Sequence, residues 1–155
     1  MKRIFTTIFV LLSILSGLKA QVTIDPFCFS DDTEITVYYD ATQGTSGLVG
    51  ASKVYMHSGV ITNSPTGTSW EYVIGDWGQD NGIGQMTKVA GETDLWEITL
   101  VPRTYYGVPG GTSIYRLGMV FRNADGSAEG KNDQNTDIFI NLSDGSLSPQ
   151  FTNVI

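Results

Sequence analysis

The chain repeats short runs in which apolar and polar side chains alternate, and this pattern constrains its fold more than any other feature. In residues 33–40, Ile35, Val37 and Tyr39 share one side of an extended chain. An alternation with period two is typical of a half-buried β-strand. Helical periodicity is not sustained in any segment. The sequence therefore predicts an all-β protein.

Further runs of this kind are separated by turns rich in glycine, and the chain has 18 glycines in all. We expect strands in residues 33–40, 53–58, 70–74, 85–89, 95–100, 114–122 and 137–142. The sequence Asn123-Ala124-Asp125-Gly126 is typical of a hairpin turn. Short strands at this spacing predict an antiparallel immunoglobulin-like β-sandwich of seven to eight strands.

The first 20 residues have the pattern of a secretory signal peptide. Lys2 and Arg3 precede an apolar run, and small residues lead to Ala20. We therefore predict a signal peptide at 1–20, one domain at 21–142, and a linker or tail at 143–155. The expected location is outside a bacterial cell or on its surface. No second apolar run follows, so no membrane partner is expected after cleavage.

The charge balance limits the possible partners. The whole chain has a net charge of -7. Without Lys2, Arg3 and Lys19, six basic residues remain against 16 acidic ones, which gives -10. This balance argues against nucleic acid, because phosphates are bound by clusters of Lys and Arg. A single Cys and a single His exclude a Cys-based zinc site and a multi-His metal site.

Aromatic side chains are the most informative candidates for binding. A flat ring can cover the apolar C–H face of a sugar, while short polar side chains bind its hydroxyls. Alternation directs Tyr55 and His57 outward, and Trp77 lies in the polar loop 75–84. Trp96 fits the core, and Trp70 fits either the core or the surface. The predicted carbohydrate-binding residues are Tyr55, His57, Trp70 and Trp77.

The chain also resembles a known family over roughly residues 33–142. The matching segments are Val54-Tyr55-Met56-His57, Trp70, Met86, Trp96-Glu97-Ile98-Thr99-Leu100-Val101-Pro102, Met119-Val120-Phe121-Arg122-Asn123-Ala124-Asp125-Gly126 and Asn132-Asp133-Gln134-Asn135. In this order they are similar to the starch-binding carbohydrate modules of secreted bacterial amylases. By position, Tyr55, His57 and Trp70 match the aromatic residues that grip an α-glucan in those modules.

The resemblance implies a non-catalytic, secreted module that binds starch or another α-glucan, with an attached glycoside hydrolase as a candidate partner. Two positions depart from the family pattern. Ala128-Glu129-Gly130 replaces the Trp of the closing hairpin, and Ser58 replaces a second aromatic residue beside His57. The alternative is a ligand-free structural or spacer domain of a larger secreted protein.

Acidic and amide side chains supply two further candidates. Asp76, Asp80, Glu92, Asp94 and Glu97 include no pair that the sequence fixes in one cleft, so no catalytic residue is predicted. Oxygen-bearing residues are dense in 123–129 and 132–137, where calcium is a possible ligand. Turn formation by Asn and Asp explains the same residues without an ion. No metal site or cofactor is therefore predicted.

Overall fold

The computed structural model describes residues 20–143, which contain nine strands and one short helix. The strands are β1 (Val22–Asp25), β2 (Ile35–Asp40), β3 (Tyr55–Ile61), β4 (Glu71–Ile74), β5 (Thr87–Lys88), β6 (Leu95–Leu100), β7 (Arg116–Arg122), β8 (Glu129–Gly130) and β9 (Ile138–Asn141). The helix α1 (Pro102–Tyr106) lies between β6 and β7. Within residues 20–143, no helix has the length and apolar character that a membrane crossing requires. Residues 1–19 of the predicted signal peptide and residues 144–155 of the predicted tail lie outside the described part.

The strands form two antiparallel sheets. The four-stranded sheet has the order β1-β2-β6-β5. The five-stranded sheet has the order β4-β3-β7-β8, and β9 also pairs with β7. β8 covers the end of β7 at Phe121 and Arg122, whereas β9 covers its beginning, from Arg116 to Met119. The all-β architecture predicted from alternation is confirmed.

Inward side chains of both sheets form one shared core. Tyr39 of β2 stacks on Phe121 of β7 with 3.8 Å between ring centroids, and this contact joins the two sheets. Trp96 is 3% exposed, so its predicted place in the core is confirmed. The other large core residues include Phe29, Ile35, Val37, Leu48, Met56, Leu117 and Met119. Burial of this apolar surface is the main driving force of the fold.

The structure has nine strands within the described residues, more than the seven to eight predicted. β6 occupies the residues predicted for it, and six other strands overlap their predicted segments. β8 was not predicted because Glu129 and Gly130 include no apolar side chain that could mark an alternation, and β1 was missed although Val22 and Ile24 alternate with polar residues. The helix was also missed. It begins at Pro102 and ends at Tyr106, and it is followed by Gly107, whose φ is 65°. Pro at a helix start and Gly after its end are the usual preferences.

The outer face of the five-stranded sheet positions the predicted binding residues. Met56 and Val60 of β3 point into the core. Because side chains alternate along a strand, Tyr55, His57 and Gly59 point to the opposite side. This outer face is the surface on which the candidate site is built.

Candidate functional site

Two glycines lie opposite each other in the middle of this face and make room for an indole. Gly59 of β3 pairs with Gly118 of β7. A Cβ built on Gly118 would lie 2.5 Å from Nε1 of Trp70, and one built on Gly59 would lie 3.2 Å from the Trp70 Cβ. Trp70 therefore crosses both strands and lies half-buried against the sheet. A larger residue fits at Gly118 only if the indole moves.

His57 lies between two indoles. Its ring centroid is 5.9 Å from that of Trp70, with an angle of 37° between the planes. The distance to Trp77 is 5.5 Å, and these rings meet edge to face at 87°. His57 and Trp70 are half-buried, and Trp77 is 44% exposed. Three of the four predicted residues thus form one group, the Trp70–His57–Trp77 cluster, although their rings are not coplanar.

A buried arginine fixes the loop that carries Trp77. Arg122, at the end of β7, is 0% exposed. Its guanidinium donates four hydrogen bonds of 2.8–3.0 Å to the backbone carbonyls of Asp76, Gln79, Asn123 and Ala124. These bonds tie the Trp77 loop to the hairpin turn. A Cβ built on Gly126 in that turn would lie 2.8 Å from Nε1 of Trp77, so the indole is exposed and yet held in place.

Tyr55 does not contribute to the exposed cluster. The expectation of an exposed Tyr55 ring was wrong, because the side chain is 0% exposed. Its outward direction was inferred correctly, but the loop after β4 covers the ring. The Tyr55 hydroxyl donates to Asp80, which also accepts a hydrogen bond of 2.7 Å from Lys53. The Arg122 guanidinium carbon lies 4.3 Å from the centroid of the Tyr55 ring. Tyr55 therefore anchors the loop and is not available for stacking on a ligand.

Burial and nearby charges of both signs set the protonation state of His57. Burial lowers the pKa of the His57 imidazole from its ordinary value of 6.5. A backbone contact with Gly75 opposes this shift, the positive charge of Arg122 adds to it, and the carboxylates of Asp137 and Asp76 oppose it. His57 is therefore neutral near pH 7, and its ring can take part in uncharged contacts with the indoles.

The lowered pKa of His57 predicts a pH dependence of stability. Between 6.5 and the lower folded-state pKa, the unfolded chain binds more protons at His57 than the folded one does. The contribution of His57 to the free energy of unfolding is thus fully present above 6.5 and is lost as the pH falls through this window. We expect the melting temperature of the wild type to fall more steeply than that of His57→Gln between about pH 7 and pH 5. If the melting temperatures of the two proteins fall equally steeply with pH across this range, the assignment to His57 is contradicted.

A further aromatic side chain, not selected from the sequence, lies beside the cluster. Phe139 of β9 pairs with Gly118, and a Cβ built on that glycine would lie 3.1 Å from Cε1 of Phe139. The guanidinium carbon of Arg116 lies 4.4 Å from the centroid of the Phe139 ring. The alternation in residues 137–142 directs Phe139 outward, so the sequence pattern alone could have identified this residue.

The residues considered for calcium are engaged in their own turns. Asp125 Oδ1 accepts hydrogen bonds from the Ser127 backbone N–H and hydroxyl, at 3.0 and 2.6 Å. Asn132 Oδ1 accepts from the backbone N–H groups of Gln134 and Thr136, at 3.0 and 2.9 Å. In residues 20–143 no three His, Cys, Asp or Glu side chains gather in a group that would hold a metal ion.

Three of the acids considered for a glycosidase pair, Asp80, Asp94 and Glu97, lie on different elements. Asp80 accepts its hydrogen bonds in the loop over Tyr55. Asp94 Oδ1 accepts a hydrogen bond of 2.7 Å from the Gly50 N–H. Glu97 lies in β6 of the four-stranded sheet. Asp80 and Asp94 therefore fix loops, while Glu97 belongs to the other sheet.

Residues 22–129 match a protein family that is described as a domain of unknown function, DUF8578. The chain belongs to this family. The part that matches the DUF8578 domain runs from β1 into β8 and includes the Trp70–His57–Trp77 cluster and Arg122. Phe139 and β9 follow it in the chain. No curated protein matches the sequence.

Proposed function

We propose that this chain is a non-catalytic, secreted module that binds starch or a related α-glucan, and that its two sheets form a sandwich of the immunoglobulin-like type. The binding surface is the Trp70–His57–Trp77 cluster on the outer face of the five-stranded sheet. An attached glycoside hydrolase would benefit, because binding keeps the enzyme at high effective concentration near an insoluble substrate.

One observation carries this proposal. Three aromatic side chains from two different strand regions and a loop meet on one solvent-facing surface, with the most exposed indole held in place by its loop. A preformed ring loses little conformational entropy when a sugar stacks on it. His57 and Trp70 are also the two residues whose positions match the starch-binding modules and whose rings remain on the surface.

The charges near the cluster favour an uncharged ligand. Asp76 and Asp137 act on His57, and Arg122 is buried with its donors directed at carbonyls. The net charge of -7 disfavours anionic polymers, whereas the hydroxyls of a neutral glucan can donate to the carboxylates of Asp76 and Asp137. The shallow surface buries little area, so we expect dissociation constants in the range of about micromolar to millimolar.

The second candidate is a ligand-free spacer domain. It is favoured by the contacts that both indoles make within the chain, since Trp70 covers the glycine pair and Trp77 lies against Gly126. In this case the rings would serve packing alone, and no glucan would bind.

Replacement of the exposed indole tests the proposal. We expect Trp77→Ala to weaken starch binding by about tenfold or more, which corresponds to about 1.4 kcal/mol of lost stacking. Native electrophoresis in gels that contain soluble starch measures this effect as a loss of retardation. The fold should persist, because Trp77 is 44% exposed and lies outside the core.

The matched control is Phe27→Ala, which removes another exposed aromatic ring, 89% exposed, outside the cluster. This variant should be retarded as strongly as the wild type. If starch retards neither the wild type nor the variants, the spacer function stands instead. Equal retardation of the wild type and Trp77→Ala would show that Trp77 does not belong to the binding surface.

A further inference from the structure

The outer face carries a second group of side chains beside the cluster. Phe139 of β9 reaches toward Gly118 from one side, and Trp70 reaches it from the other. Nε1 of Trp70 and Cε1 of Phe139 lie 2.5 and 3.1 Å from the position of a Cβ built on this glycine, so both rings border it. Neighbouring strands lie about 4.8 Å apart, so a row that spans β9, β7 and β3 extends roughly 10 Å across the sheet.

Arg116 is positioned at the end of this row. Its Nη1 donates a hydrogen bond of 2.8 Å to the Gly67 carbonyl, and its guanidinium lies over the Phe139 ring. In the part of the chain that the structure describes, Nη2 donates to no protein acceptor. Asn141 is the cross-strand partner of Arg116 and is exposed. Directly paired residues share a face, so its amide lies on the same side of the sheet.

We propose that Phe139, Arg116 and Asn141 form a second sugar subsite, which extends the binding surface so that it takes several consecutive units of an uncharged glycan. Phe139 is half-buried and offers the part of its ring that Arg116 does not cover. The guanidinium offers hydrogen-bond donors to hydroxyl oxygens, and the amide offers both a donor and an acceptor. This inference rests on the glycan binding proposed above.

The occupant follows from the chemistry of the row. The rings of Trp70 and Phe139 can cover the C–H faces of glucose units, and the guanidinium and amide at the end of the row can bind their hydroxyls. The chain's net charge of -7 and the carboxylates near His57 disfavour a polyanion. A second copy of the protein carries the same negative charge and is the less favourable occupant.

The dependence of affinity on ligand length tests the second subsite. For the wild type, titration calorimetry with α-1,4-linked glucose oligomers should show affinity rising by about fivefold or more from two to six units. Phe139→Leu keeps an apolar side chain beside Trp70 but removes the flat ring. This variant should bind the disaccharide within about twofold of the wild type and lose most of the rise with length.

Arg116→Gln is the second variant, and it leaves the Phe139 ring in place. Arg116→Gln should also reduce the rise of affinity with oligomer length. It keeps the test decisive if Phe139→Leu fails to fold. An unchanged length dependence in the folded variants would overturn the second subsite while leaving the Trp70–His57–Trp77 cluster as the binding surface. If the wild type binds no oligomer, the proposed function fails and the subsite fails with it. Sedimentation that shows a dimer, dissociated by either variant, would assign this surface to self-association.

Discussion

Arg122→Met is expected to lower the free energy of unfolding by about 3–5 kcal/mol, because a buried carbonyl left without a donor costs about 1–3 kcal/mol and four lose theirs. The guanidinium donates to four carbonyls and covers Tyr55, and all of these contacts disappear together. Methionine fills part of the volume but satisfies none of the carbonyls. Urea denaturation followed by circular dichroism measures the change.

Two variants serve as controls for this experiment. Arg122→Lys keeps the charge but lacks the planar fork that reaches both the loop and the hairpin, so its stability should lie between those of the wild type and the methionine variant. Lys53→Met breaks the exposed ion pair with Asp80 and should change stability only slightly. If the methionine variant loses no more stability than Lys53→Met, water replaces the guanidinium and Arg122 is not the anchor of the loop.

Gly118→Ala is expected to destabilise the domain by about 1–3 kcal/mol, the typical effect of an overpacked contact. The new Cβ would lie 2.5 Å from Nε1 of Trp70 and 3.1 Å from Cε1 of Phe139, so both rings must move. Displacement of Trp70 into solvent should shift tryptophan emission to longer wavelength. Thermal unfolding and fluorescence together measure the two effects.

Gly110→Ala is the matched control, because nothing lies within 4 Å of a Cβ built there. It should leave both the melting temperature and the emission spectrum close to those of the wild type. Equal behaviour of the two alanine variants would show that Trp70 is free to move away from the sheet and is not seated on the glycine pair.

Local sequence pattern predicted the parts of this fold that depend on neighbouring residues. Alternation placed Ile35, Val37 and Tyr39 in the core and directed His57 outward. The burial of Tyr55 was not predictable in this way, because it depends on the loop that Arg122 holds from 46 residues away. The role of Gly118 became visible only with the strand register, which places it opposite Gly59 and beside Phe139.

The candidate site shows the same limit. Residue type and loop composition pointed to Trp77, and alternation would also have selected Phe139. The contact between His57 and both indoles required the path of the chain on both sides of β4, because Trp70 precedes this strand and Trp77 follows it. A pattern that repeats every two residues contains no information about such a path.

The pairing of β9 with the first half of β7 also determines which recombinant fragments are practical. A fragment that ends at Glu129 contains the whole family match but lacks β9. The backbone groups of β7 that face Ile138–Asn141 would then form an open sheet edge. Open edges of this kind pair with other chains and promote aggregation. Expression of this domain should therefore extend to at least residue 143.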